Sequence, residues 1–160
     1  MPDMLVKLYD LPDLRPVKEA MEEQNITIRP ALPPEKHLVL EWITKMFGPK
    51  WASEADVAFA NQPCSCLIAV DESQARLVGF ACYEATCRNY FGPTGVDPEY
   101  RGRGIGKALF LEGLQGLKNL GYAYCIIGGA GPVEFYQKTA GAIIIEDSVP
   151  GIYQGMLRKL

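Results

Sequence analysis

Between an apolar run and a helical one stands Asp97-Pro98-Glu99-Tyr100-Arg101-Gly102-Arg103-Gly104-Ile105-Gly106-Lys107, with three glycines and three cations in its last seven residues. Glycines let a backbone approach a ligand closely and turn its N–H groups outward, and a helix N-terminus adds the positive end of its dipole. A helix follows, because Ile105, Leu109, Leu114 and Leu117 recur at helical spacing up to about Leu120, with Gly121 where a left-handed cap belongs. The loop is therefore suited to an anion, with Arg103 and Lys107 adding full charges. The same residues also fit a solvated Gly-rich turn whose arginines lie along the surface. Upstream, Tyr90 to Val96 reads as a strand in which Pro93 and Gly95 predict a bulge or a local opening of the ladder.

Other phosphate loops fit poorly. A Walker loop needs Gly five residues before its Gly-Lys pair and Ser or Thr after it, and those positions hold Arg101 and Ala108. A dinucleotide fingerprint needs Gly-x-Gly-x-x-Gly, and Lys107 and Leu109 occupy the third-glycine position in the two frames available. His37 is the only histidine, which disfavours Ser-His-Asp and Cys-His hydrolases. The five cysteines include Cys64 and Cys66 but no Cys-x-x-Cys pair, so free thiols are expected and no metal site.

Outward from the loop, strands and helices alternate. Residues 1–25 read as a strand (Leu5 to Leu8) and a helix from about Pro16, an apolar appendage to a domain spanning 26–160. Ile26 to Pro30 alternates like an edge strand, Leu38 to Phe47 and Ser53 to Asn61 read as helices, and Cys66 to Val70 pairs with Leu77 to Thr86 across a turn at Asp71. Beyond the long helix come a strand from Tyr122 to Gly128, a short helix from Val133 to Thr139, and a final strand pair, Ala142 to Ile145 with Ile152 to Leu157. An α/β fold with a mixed, twisted sheet and helices on both faces is expected.

Length and composition narrow the partners. A chain of 160 residues, 48% hydrophobic and 22% charged, fits one globular unit. A net charge of -3 supplies no basic field for nucleic acid, and no apolar run approaches a membrane span, so a cytoplasmic location is expected. A homodimer is expected from the apolar look of residues 1–25 and the frequency of such assemblies.

Two motifs at a defined separation carry a family resemblance: Gly95-Val96-Asp97-Pro98-Glu99-Tyr100-Arg101-Gly102-Arg103-Gly104-Ile105-Gly106-Lys107-Ala108-Leu109, and Phe135-Tyr136-Gln137-Lys138-Thr139-Ala140-Gly141-Ala142. Over roughly residues 26–157 the chain resembles the GNAT superfamily of acyl-CoA-dependent N-acetyltransferases. The resemblance implies a GNAT-like sheet with splayed strands and acetyl-CoA as cofactor, held by Gly95, Val96, Arg101, Gly102, Arg103, Gly104, Ile105, Gly106 and Lys107. It implies direct acetyl transfer to a primary amine of a small molecule, without a metal, and matches Tyr136 to the proton donor toward the departing sulfur. Many relatives carry a carboxylate on the strand before the phosphate loop, and Tyr90 to Val96 has none. Glu84, alternating with Phe80 and Cys82, is the candidate base, with a water relay as the alternative. Relatives also often carry Asn and Ala where this chain has Gly128-Gly129-Ala130-Gly131-Pro132, and Tyr153 is a candidate wall of the acceptor pocket. A net charge of -3 is compatible with cationic acceptors such as polyamines, amino sugars or aminoglycosides. A non-catalytic acyl-CoA-binding module and a pure interaction domain are the rival readings.

Overall fold

The computed structural model describes residues 1–160. Its elements are β1 (Met4–Lys7), α1 (Arg15–Glu23), β2 (Ile26–Pro30), α2 (Lys36–Phe47), α3 (Pro49–Ala60), β3 (Cys66–Asp71), β4 (Arg76–Tyr83), β5 (Tyr90–Val96), α4 (Ile105–Asn119), β6 (Tyr124–Ile127), α5 (Val133–Ala140) and β7 (Ile143–Ile144). The strands form one sheet in the order β2-β3-β4-β5-β6-β1-β7, antiparallel throughout except between β5 and β6. Helices cover both faces, as expected: residues of α1, α4 and α5 share one core, and those of α2 and α3 share the other. The period-2 alternation of β3 divides its side chains between the layers, Leu67 and Ala69 to the first, Cys66 and Ile68 to the second.

Two expectations change. Residues 1–25 are no appendage, because β1 lies inside the sheet between β6 and β7 and Met4, Val6 and Leu8 are completely buried. Each such side chain gains about 1.5–3 kcal/mol on burial, so this strand belongs to the core. With it goes the argument for a homodimer drawn from an exposed apolar segment. The final strand pair is also absent. β7 is two residues long and pairs with β1, while Gly151–Tyr153 forms a single 3-10 turn and the rest of the tail adds no strand.

What matters most for the site is how β5 and β6 part. They pair only at Tyr90 with Ile126 and Phe91 with Ile127. Beyond Ile127 the chain turns toward the N-terminal strand, because the Gly129 N–H donates to Asp3 Oδ1 (2.8 Å) and the Ala130 N–H to the Pro2 carbonyl (2.7 Å). β5 meanwhile stays with β4, through a register shift that falls at Gly92 and Pro93, so the predicted bulge is present at Pro93. A V-shaped opening results, with β5 on one side and the end of β6 with the Gly128 to Gly131 segment on the other.

Candidate functional site

The loop after β5 is shaped by local chemistry. Asp97 accepts the Glu99 N–H (2.9 Å), which folds the turn, and Arg76 bonds both Asp97 (2.8 Å) and Glu99 (3.2 Å), so one guanidinium offsets part of the negative charge beside the loop. Gly102 (φ +78°) and Gly104 (φ +83°) adopt left-handed backbone, the second as the residue before α4. Every backbone N–H from Gly102 through Lys107 lacks a protein acceptor, and the first intrahelical bond runs from Ala108 N–H to the Gly104 carbonyl (3.0 Å). Gln24 fixes the loop by donating to the Arg103 carbonyl (2.9 Å). Arg103 lays its guanidinium over the Tyr100 ring (4.5 Å), and Arg101 and Lys107 are exposed or nearly so and form no ion pair. The structure thus brings the expected loop residues together around a row of free donors, with Ile105 contributing its N–H while its side chain is buried.

Two residues expected on β5 divide their tasks. The Asp97 N–H donates to the Val78 carbonyl (2.8 Å), so by strand alternation Gly95 points its backbone groups at β4, whereas Thr94 and Val96 point theirs at the opening. Gly95 is needed for another reason: a Cβ there would overlap the Phe47 ring, which packs against the strand from α2. Gly95→Ala is expected to cost about 1–3 kcal/mol by overpacking, read as a lower Tm, and Phe47→Leu in the same chain should restore part of it. An unchanged Tm would refute the steric argument.

From the opening runs a cavity of about 880 Å³, lined by β5, the Gly128 to Gly131 loop, α3 and the C-terminal segment. Tyr136, in α5, reaches it over the Phe110 ring (5.0 Å between centroids), is 6% exposed, and its hydroxyl bonds to no protein group. Burial first, and the nearby Cys125 thiol second, push its phenol up to about 12, so the hydroxyl keeps its proton through the neutral range. Across the cavity stand Trp51, Glu54, Thr86, Tyr90 and Tyr153. Tyr153 is expected there from the sequence. Trp51 and Glu54 are not, since nothing in the helical pattern of α3 says which of its faces meets a cavity.

Glu84 does not line this cavity. It follows β4 with left-handed backbone (φ +58°), which ends the alternation with Phe80 and Cys82. Its carboxylate accepts the Asn89 N–H and the Tyr122 hydroxyl (3.1 Å), closing the turn before β5. Its role in the structure is to hold that turn. Glu84→Gln is expected to leave kcat/KM within about twofold while costing about 1 kcal/mol of stability. Thermal melts and turnover, measured together, check this; a large fall in turnover at unchanged Tm would return Glu84 to the chemistry.

A mixed sheet opened beside a Gly-rich anion loop, with a protonated tyrosine at the opening, is the arrangement of an acyl-CoA-dependent transferase. The chain belongs to the acetyltransferase (GNAT) family, which it matches over residues 36–142, and acetyl-CoA is the cosubstrate of that family. Among solved structures it is similar to the GCN5-related glucosamine N-acetyltransferase region of a fungal multi-domain GH3 β-N-acetylglucosaminidase, at 17% identity and TM-score 0.74, over 90% of this chain and 19% of that one. It is similar to a GCN5-related N-acetyltransferase from Sphaerobacter thermophilus at 20% identity and TM-score 0.69, over 90% of this chain and 48% of the other. A GNAT family acetyltransferase from Brucella melitensis, solved in complex with acetyl-CoA, aligns at 20% identity and TM-score 0.53 over 72% of this chain and 81% of its own. The chain therefore spans about a fifth of the first of these proteins and about half of the second. No curated protein matches it. None of its helices is long and apolar enough to cross a membrane.

Proposed function

We propose that the chain transfers an acetyl group from acetyl-CoA to a primary amine of a small molecule, with amino sugars as the leading acceptor class. The observation that carries this is the protonated, unpartnered Tyr136 hydroxyl in a cavity that joins the β5/β6 opening to a polar and aromatic wall. A volume of about 880 Å³ is in the range of small-molecule sites, and Trp51, Tyr90 and Tyr153 put aromatic side chains in its lining, a composition suited to a sugar ring. The fungal neighbour's acceptor, glucosamine, agrees with that choice.

Bound acetyl-CoA supplies a thioester carbonyl for an amine to attack. The residues of this chain do the rest. Free N–H groups from Gly102 through Lys107 take the diphosphate, with Arg101 and Lys107 adding charge and the α4 dipole aligned behind them. Thr94 and Val96 present backbone donors and acceptors to the amides of the pantetheine arm. Tyr136 gives its proton to the sulfur as the carbon–sulfur bond breaks. The test is thiol release from acetyl-CoA in the presence of glucosamine, spermidine and a neutral sugar. Amine-dependent release with the N-acetyl product detected by mass supports the reading, and equal, amine-independent release with all three refutes it.

A further inference from the structure

Acetyl transfer to an amine needs a group to take the acceptor's proton, and β5 carries no carboxylate. We propose that Glu54 of α3, anchored by Thr86, receives the acceptor's ammonium group and takes its proton. The assignment rests on the acceptor reading above and adds the residue that executes it. Glu54 is the only carboxylate among the residues lining the cavity. The other acids close by are committed elsewhere: Asp3 accepts the Gly129 N–H (2.8 Å) and Glu84 closes the turn before β5. Glu54 itself is half committed. Its Oε1 accepts the Thr86 Oγ1 hydroxyl (2.6 Å), which fixes the side chain, while Oε2 has no protein partner and is left to accept a ligand N–H.

The surroundings favour a cation there. Lys50 stands one turn earlier on α3 and lines the same cavity, yet the two form no ion pair, so the Glu54 charge stays available. Trp51, Tyr90 and Tyr153 line the same cavity, so Glu54 shares the acceptor space with aromatic side chains, the residue type that attracts an ammonium group. Tyr153 stands close enough for the Glu54 charge to add to burial in raising its phenol. The titratable side chains that share the cavity with Glu54 are thus Lys50, Tyr90, Tyr136 and Tyr153, and Met1 lines it as well.

The step balances. An N–H bond of the acceptor ammonium breaks and its proton goes to Glu54 Oε2. The freed lone pair forms the carbon–nitrogen bond, the carbon–sulfur bond breaks with its electrons on sulfur, and Tyr136 protonates that sulfur. The nitrogen's second surplus proton passes through water to the Tyr136 oxygen, and Glu54 returns its proton to solvent, one proton being released per turnover.

Glu54→Gln tests this, because it keeps the length and the Thr86 bond but removes the base. With whichever of glucosamine and spermidine the unaltered chain turns over faster, kcat/KM for the amine is expected to fall by roughly 100-fold, the low end for a lost base because water takes part of its role. The acetyl-CoA KM should stay within about twofold, which a general distortion of the site would not allow. Glu54→Asp, which keeps a carboxylate on a shorter arm, should recover part of the loss. Full turnover in Glu54→Gln overturns the assignment while leaving the acceptor reading intact. Failure of the unaltered chain to turn over either amine overturns the acceptor reading, and the assignment falls with it.

Discussion

Tyr136→Phe is expected to lower kcat at pH 7 by about 100-fold to 1,000-fold, while Tm stays the same or rises. The two halves of that expectation come from one observation. The hydroxyl bonds to no protein group although the residue is 6% exposed, so its removal breaks no native interaction and relieves the cost of burying a phenol oxygen beside Phe110 and Phe135. A residue retained only for packing would lose nothing by the change. The kinetic loss follows from proton transfer, which is worth roughly 100-fold to 10,000-fold when a positioned acid serves a leaving group. The penalty should shrink as pH rises past about 8.5, where a thiol of ordinary acidity departs as the thiolate without help. The phenol itself, pushed up to about 12 by burial, does not titrate in that window, so the convergence of the two pH profiles reports on the sulfur. Steady-state thiol release from pH 6.5 to 9.5 with saturating acetyl-CoA measures both. Equal kcat across that range would remove Tyr136 from the chemistry.

Local features of this chain are legible in its sequence, and non-local ones are not. β5, the loop and α4 lie consecutively, and their signals are glycines, prolines and a helical period that act within a few residues; they fall at Tyr90–Val96 and Ile105–Asn119 with little change from the expected spans. β1 reads correctly as a strand, but its place in the sheet does not follow from its residues. Its partners, β6 and β7, lie more than a hundred residues away, and an apolar run such as Met4 to Leu8 states that it must be buried without stating where. The same gap hides the role of Asp3, which draws the Gly129 N–H away from β5 and so helps create the opening. Strand order, in this fold, is what turns an irregular strand into a ligand channel.

The acid residues show the limit more sharply. Glu84 and Glu54 are alike in sequence terms, one a carboxylate just past β4 and the other a carboxylate inside α3, with no local signal of chemistry at either. Extending the alternation of β4 by one residue makes Glu84 the candidate, and one left-handed residue undoes it. No periodicity can raise Glu54 above its neighbours on α3, because the cavity face of that helix is defined by β5 and by the C-terminal segment, both remote in sequence. Tyr153 belongs to that segment and does reach the wall, although the strand predicted to carry it is a 3-10 turn. Its position there depends on the turn at Pro150, which sends the tail back over the cavity.

Gly104→Val is expected to raise the acetyl-CoA KM by at least about 100-fold with a much smaller effect on kcat at saturation. Gly104 has φ +83° and stands at the N-cap of α4, a conformation that a β-branched residue adopts only under strain. The chain then has two ways to respond, and both act on binding. If the loop regains its shape only on binding, roughly 2 kcal/mol of backbone strain is taken up in the bound state. If it relaxes, the free N–H groups from Gly102 through Lys107 no longer converge on one anion. Charge-assisted bonds of this kind contribute about 1.5–3 kcal/mol each, so losing two is more than enough for the expected change at about 1.4 kcal/mol per tenfold. A Cβ at this position meets only Met21 Cε, at 3.8 Å, so the strain arises from the backbone conformation rather than from a Cβ clash. Tyr136 and the acceptor wall lie at the far end of the opening and are untouched, which is why kcat should largely survive. Calorimetric titration with coenzyme A and with a pantetheine lacking the diphosphate separates the terms: the variant should lose affinity for the first and bind the second as the unaltered chain does. Equal loss for both ligands would mean that the loop is not the diphosphate site.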